Sequence, residues 1–142
     1  MTRPTPRVFE AQSVEETEQF AAHLAPALSP GTVIALHGEM GTGKTHFVRG
    51  LVQGLGGNAN LVSSPTFVLL NVYDTLLRIF HLDAYRVSGP EDFEAIGFTE
   101  LLEQNGLVIV EWPQRVQALL PLQTLHVHLT AIGENVRTIS VH

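Results

Sequence analysis

Residues 7–11 alternate apolar and polar positions, which predicts a short edge strand. Ser13-Val14-Glu15-Glu16 follows, with Ser at an N-cap and Glu three positions later, the pattern of a capping box. Thr17, Phe20, Ala21 and Leu24 then recur at helical spacing, and Leu28-Ser29-Pro30-Gly31 stops the helix. Residues 32–36 (TVIAL) form a short β-branched apolar run of the kind buried in a parallel sheet. After a Gly-rich stretch over 37–45, Phe47, Val48, Leu51, Val52 and Leu55 continue at helical spacing to Gly56-Gly57. Residues 66–73 and 77–82 read as strands joined by a tight turn near Asp74-Thr75, hence an antiparallel pair. Two short helices are expected over 90–96 and 99–104, Pro90 suiting a first helical position and Glu91-Asp92 its first turn. Another buried strand spans 107–110 and ends at Glu111-Trp112-Pro113. Residues 124–130 and 136–141 alternate around Gly133-Glu134-Asn135 as a terminal hairpin. Strands that alternate with helices in this way predict an α/β fold: a three-layer, P-loop NTPase-like sandwich around a mixed, partly parallel sheet.

Composition narrows the picture. A chain of 142 residues with 44% hydrophobic and 15% charged positions is expected to be a single soluble domain over residues 1–142. No apolar stretch approaches the roughly 18 residues of a membrane helix, the N-terminus lacks a secretory core, and cysteine is absent; a cytoplasmic location is the expectation. Eight basic residues against fourteen acidic ones, a net charge of −6, oppose non-specific nucleic-acid binding, which runs on Lys and Arg neutralising phosphates. Any contact with nucleic acid is expected to be local or made through a partner.

The Gly-rich stretch carries the chemistry. Gly38-Glu39-Met40-Gly41-Thr42-Gly43-Lys44-Thr45 fits the P-loop pattern G-x-x-x-x-G-K-[ST], between an expected strand and an expected helix. Glycines let successive N–H groups turn toward phosphates, and the helix start aims its positive dipole end at them. Lys44 is expected to reach the β- and γ-phosphates and the Thr45 hydroxyl to ligate Mg²⁺. Gly41, Thr42, Gly43, Lys44, Thr45 and His46 are the nucleotide-binding candidates of this loop. Lys44 is the chain's single lysine, so the Asn-Lys-x-Asp stretch that reads guanine is absent, and ATP is favoured by elimination.

A P-loop ATPase also needs an acid at a strand end near Mg²⁺ and a group to orient water. Asp83, in His81-Leu82-Asp83-Ala84-Tyr85-Arg86, and Glu111, in Glu111-Trp112-Pro113, both qualify, and local pattern does not choose between them. Ser64, Pro65, Thr66 and Phe67 lie in a polar loop where NTPases often place a switch. Trp112 can stack on a partner or anchor its strand end. His126 and His128 share one strand face, for which a structural role is the simpler reading; a metal site there would need at least one more ligand.

Together these blocks resemble the TsaE family, the bacterial ATPase of the pathway that makes threonylcarbamoyladenosine in tRNA. The likeness runs through the Ser13-to-Thr17 helix start, the P-loop with Phe47, Arg49 and Gly50, Ser64-Pro65-Thr66-Phe67, Tyr73, His81-x-Asp83-x-Tyr85-Arg86, Gly97 and Glu111-Trp112-Pro113. It implies slow ATP hydrolysis that becomes productive in a complex with TsaB and TsaD, with tRNA met through that complex. It implies Thr45 and Glu111 as Mg²⁺ ligands, Asp83 as the acid near the γ-phosphate and the water, and Thr17 in the segment approaching adenine. Ser64–Phe67, Tyr85, Arg86 and Trp112 become switch or partner residues. The P-loop interior departs at Glu39-Met40 and Thr42, and His46 replaces a frequent small polar residue, which alters the α-phosphate contacts expected there. The likeness fades beyond Pro113, so contacts from the Gly133 hairpin stay open. Arg86 is the nearest arginine-finger candidate by motif. Two rivals share the P-loop: a small-molecule kinase, for which no arginine-bearing lid is visible, and a nucleotide-gated binding module with incidental hydrolysis.

Overall fold

The computed structural model describes residues 7–62 and 69–142. The first strand, β1 (Arg7–Ala11), leads into α1 (Val14–Leu24). The expected cap is present: Ser13 Oγ accepts the Glu16 N–H at 3.1 Å, and the Glu16 carboxylate accepts the N–H of Gln12 at 2.9 Å. A 3₁₀ turn at Ala25–Ala27, carrying Pro26, tightens the end of the helix. The buried strand β2 (Val33–His37) then feeds the Gly-rich loop and α2 (Lys44–Gly54).

Next come β3 (Leu70–Tyr73) and β4 (Ile79–Asp83), antiparallel with Leu70 opposite Leu82 and Tyr73 opposite Ile79. Short helices α3 (Pro90–Ala95) and α4 (Phe98–Leu102) are separated by Gly97, whose φ of 86° turns the chain. After β5 (Leu107–Glu111) the chain enters a 3₁₀ segment, Pro113–Leu119, which is not among the elements expected from the sequence. The terminal hairpin is β6 (Leu125–Ile132) and β7 (Val136–Val141).

The strands form one mixed sheet in the order β1-β7-β6-β2-β5-β4-β3. β4, β5, β2 and β6 run parallel at its centre, and the other pairings are antiparallel. Alternation along the central strands divides the core between two faces. Ile34, Leu36, Leu107 and Ile109 join Ala21, Leu24, Phe47, Val48 and Leu51 of α1 and α2 on one side. Val33, Val108, Val110, Phe80 and Leu82 join Phe93, Phe98, Leu101 and Val116 on the other. This is the expected three-layer sandwich, and the parallel strands deliver their carboxyl ends, His37, Asp83 and Glu111, to one edge. In open α/β sheets that edge is where ligands bind.

Candidate nucleotide-binding site

At this edge the loop after β2 turns on Gly41 and Gly43, with φ of 80° and 99°, a left-handed backbone that favours glycine. Between them Thr42 is buried; its Oγ1 donates to the Glu39 carbonyl at 2.8 Å and its N–H reaches the same carbonyl at 3.3 Å. Thr42 therefore braces the loop, while Gly41, Gly43, Lys44, Thr45 and His46 line a cleft of about 420 Å³. Thr17 of α1, Asp83, Glu111, Tyr85 and Trp112 line the same cleft. Residues read from positions 17 to 112 of the sequence thus meet in one place.

Lys44 opens α2 and is only 8% exposed. Its Nζ lies 3.8 Å from Glu111 Oε1 and 4.0 Å from the centroid of the Trp112 ring, so a carboxylate and an aromatic face both hold the ammonium. Burial pulls its pKa below the ordinary lysine value, against the opposing charges of Glu111, Asp83 and Glu39. Trp112 occupies the left-handed region at φ 55°, a backbone strain of the kind that clusters at functional sites. It heads the 3₁₀ segment, and its ring also meets Tyr85, 5.0 Å away between centroids.

Glu111 is buried and accepts from His81 Nε2 at 2.6 Å. His81 is fully buried, and its Nδ1 lies 3.2 Å from the Tyr73 hydroxyl. A Tyr73–His81–Glu111 chain thereby fixes the carboxylate that faces Lys44. The sequence motif contains His81 without assigning it a role; its place in the buried run between Phe80 and Leu82 is the available signal.

Asp83 pairs with Glu111 across β4 and β5. Its Oδ1 accepts the Tyr85 N–H at 2.8 Å. Burial raises its pKa; the Tyr85 hydrogen bond opposes the rise and the Glu111 charge adds to it. Two carboxylates and the Thr45 hydroxyl at one cleft are a hard oxygen donor set, which fits a Mg²⁺-class ion.

The β6–β7 hairpin, left open by the sequence, also lines the cleft with Glu134, Asn135 and Arg137. Arg137 donates to the Gly41 carbonyl at 3.1 Å and to Val136 and Gly133 carbonyls at 3.0 and 3.3 Å. The arginine beside the loop is thus Arg137; Arg86 is exposed and does not line the cleft. Its signal, a charged position one residue past a hairpin strand's start, is too common to have singled it out. His46 Nδ1 pairs with Glu18 Oε2 at 2.9 Å, linking α2 to α1 at the cleft wall. Ser64, Pro65, Thr66 and Phe67 lie outside the described residues.

Fold and cleft together define a three-layer α/β sandwich of the P-loop NTPase-like class. The family model described as threonylcarbamoyl adenosine biosynthesis protein TsaE matches residues 11–139. The chain belongs to the TsaE family. A Rickettsia prowazekii tRNA threonylcarbamoyladenosine biosynthesis protein TsaE is 37% identical over 131 residues, covering 92% of this chain and 90% of the relative. The Bacillus subtilis protein of the same name is 35% identical over 127 residues, 89% of this chain and 78% of the relative. The crystal structure of Bacillus subtilis YdiB superposes with a TM-score of 0.80 at 27% identity, over 99% of this chain and 87% of that one. Among the described residues no helix is long and apolar enough to cross a membrane.

Proposed function

We propose that the chain binds ATP with Mg²⁺ in this cleft and hydrolyses it slowly, in support of the threonylcarbamoyl modification of adenosine in tRNA. The observation that carries the reading is the meeting of Lys44, Thr45, Asp83 and Glu111 at the carboxyl edge of the parallel strands. Lys44 and the loop N–H groups bind the phosphates, and the absence of a second lysine favours adenine over guanine. Thr45 and Glu111 would hold Mg²⁺, which when bound offsets phosphate charge. Asp83, half-buried beside them, orients the attacking water; Thr17 and Val14, which α1 brings to the same cleft, are the candidate base contacts.

The chemistry so assembled is positioning and charge stabilisation. Arg137 is turned onto main-chain carbonyls, so it braces the loop and supplies no free finger to developing charge. This arrangement supports slow turnover by the chain alone, with acceleration by the partners TsaB and TsaD. The family's tRNA role supports that dependence. The test is phosphate release by the chain alone and with TsaB and TsaD. At least about a tenfold gain on adding both is expected; equal, fast release in both conditions overturns partner dependence. Asp83→Asn separates required chemistry from a nucleotide-gated binding module: ATP affinity should hold within a few-fold while release falls by about 10²-fold or more. Undiminished tRNA modification by this variant would favour the binding module.

A further inference from the structure

Four imidazoles converge on one face of the sheet beyond the nucleotide cleft. β2 and β6 run parallel with His37 opposite His128, and His126 shares that face of β6 two residues earlier. His126 and His142 exchange both main-chain hydrogen bonds, at 2.8 and 2.9 Å, which puts His142 opposite His126 on the same side. The sequence supplied only the His126–His128 spacing; strand pairing supplies the third and fourth rings.

The rings bring candidate ligand atoms together, with His37 and His128 stacked 4.1 Å apart between centroids, so the rings must tilt out of the stack to share an ion. Coordinating nitrogens of His37, His126 and His128 all lie within 4.8 Å of one another. His37 Nε2 is 3.0 Å from His126 Nδ1. Zn–N bonds are about 2.0–2.1 Å, so two nitrogens on one tetrahedral ion sit about 3.3 Å apart, close to this separation. The hydrogen bond between them must give way, and the donor ring does so by moving its proton to its other nitrogen, remaining neutral. The His142 ring stacks beside the set, its centroid 5.1 Å from that of His128 and 5.4 Å from that of His126. Entry is provided by a second cleft that His37 and His128 line with Glu39, Met40, Trp112 and Gln114.

We propose that His37, His126 and His128 form a three-histidine site for a zinc-class divalent transition ion, the fourth position being open to a ligand entering from this second cleft. Imidazole donors suit Zn²⁺ and its neighbours and discriminate against Mg²⁺, which takes oxygen, so this site and the nucleotide cleft take different ions. Bound there, the ion ties β2 and β6 together one residue before the phosphate loop begins at Gly38.

Zn²⁺ titration of the full chain against a chromophoric chelator, in excess Mg²⁺, tests the proposal. One Zn²⁺ per chain is expected, with a rise in melting temperature. The double variant His126→Gln/His128→Gln should lose at least about tenfold in Zn²⁺ affinity and lose the thermal shift. Absence of binding at micromolar Zn²⁺, or unchanged binding by the double variant, overturns the site. X-ray absorption on the Zn²⁺-loaded wild-type chain decides independently of whether the variant folds: imidazole scattering from at least three histidines supports the site, and an oxygen-dominated shell overturns it.

Discussion

His81 shows how one buried residue sets the electrostatics of the cleft. It is fully buried between the Tyr73 hydroxyl and Glu111, and the other oxygen of Glu111 faces Lys44. Replacing it with Ala removes two hydrogen bonds, opens a cavity, and leaves a buried carboxylate short of a donor. His81→Ala should therefore cost about 2–4 kcal/mol, read in thermal unfolding as a loss on the order of 10 °C. A melting temperature unchanged by this substitution would show that the network carries no stability. At this scale the sequence was informative where chemistry is local. Lys44 and Thr45 follow from the spacing of a contiguous motif, and Asp83 and Glu111 from their places at strand ends. It was silent where partners are distant: Arg137 meets Gly41 across 96 positions, and His37 meets His126 across 89. No window along the chain contains those pairs.

The packing of α1 on α2 sets the floor of the site at the level of elements. Two glycines on α2 let the helices touch backbone to backbone. A Cβ at Gly50 would stand 2.3 Å from the Glu18 carbonyl oxygen, and one at Gly54 2.4 Å from that of Ala22. Those obstacles are main chain, so the helices would have to separate, moving Thr17 and the Glu18–His46 pair at the cleft wall. Gly50→Ala should destabilise by about 1–3 kcal/mol, measured by denaturant unfolding, although alanine is the better helix former. A stabilised Gly50→Ala chain would contradict the close crossing. Most elements were legible because apolar periodicity and caps are local signals: α1, α2, β5 and the terminal hairpin stand where expected. The exception is Pro113–Leu119, whose Val116 breaks helical geometry at φ −130°; Pro113, Val116 and Leu119 recur every third residue, a run of two turns that is too short to stand out along the chain. The sheet order β1-β7-β6-β2-β5-β4-β3 was equally beyond local reading, because non-local pairing decides it.

Over the whole molecule, a net charge of −6 is set against two cations, Lys44 and Arg137, in the one cleft proposed to grip phosphates. The protein's surface charge does not favour long nucleic acids. The sandwich exists, functionally, to hold β2, β4 and β5 in parallel so that the loop lysine and two strand-end acids share that cleft. The most direct test of this claim is a calorimetric titration of Mg·ATP, with Mg·GTP alongside, into the wild-type chain and Lys44→Ala. ATP should bind one to one and more tightly than GTP, and Lys44→Ala should weaken it by at least about tenfold, the cost of one charge-assisted phosphate contact. Binding by Lys44→Ala equal to wild type, or no ATP binding by the wild-type chain, would contradict it.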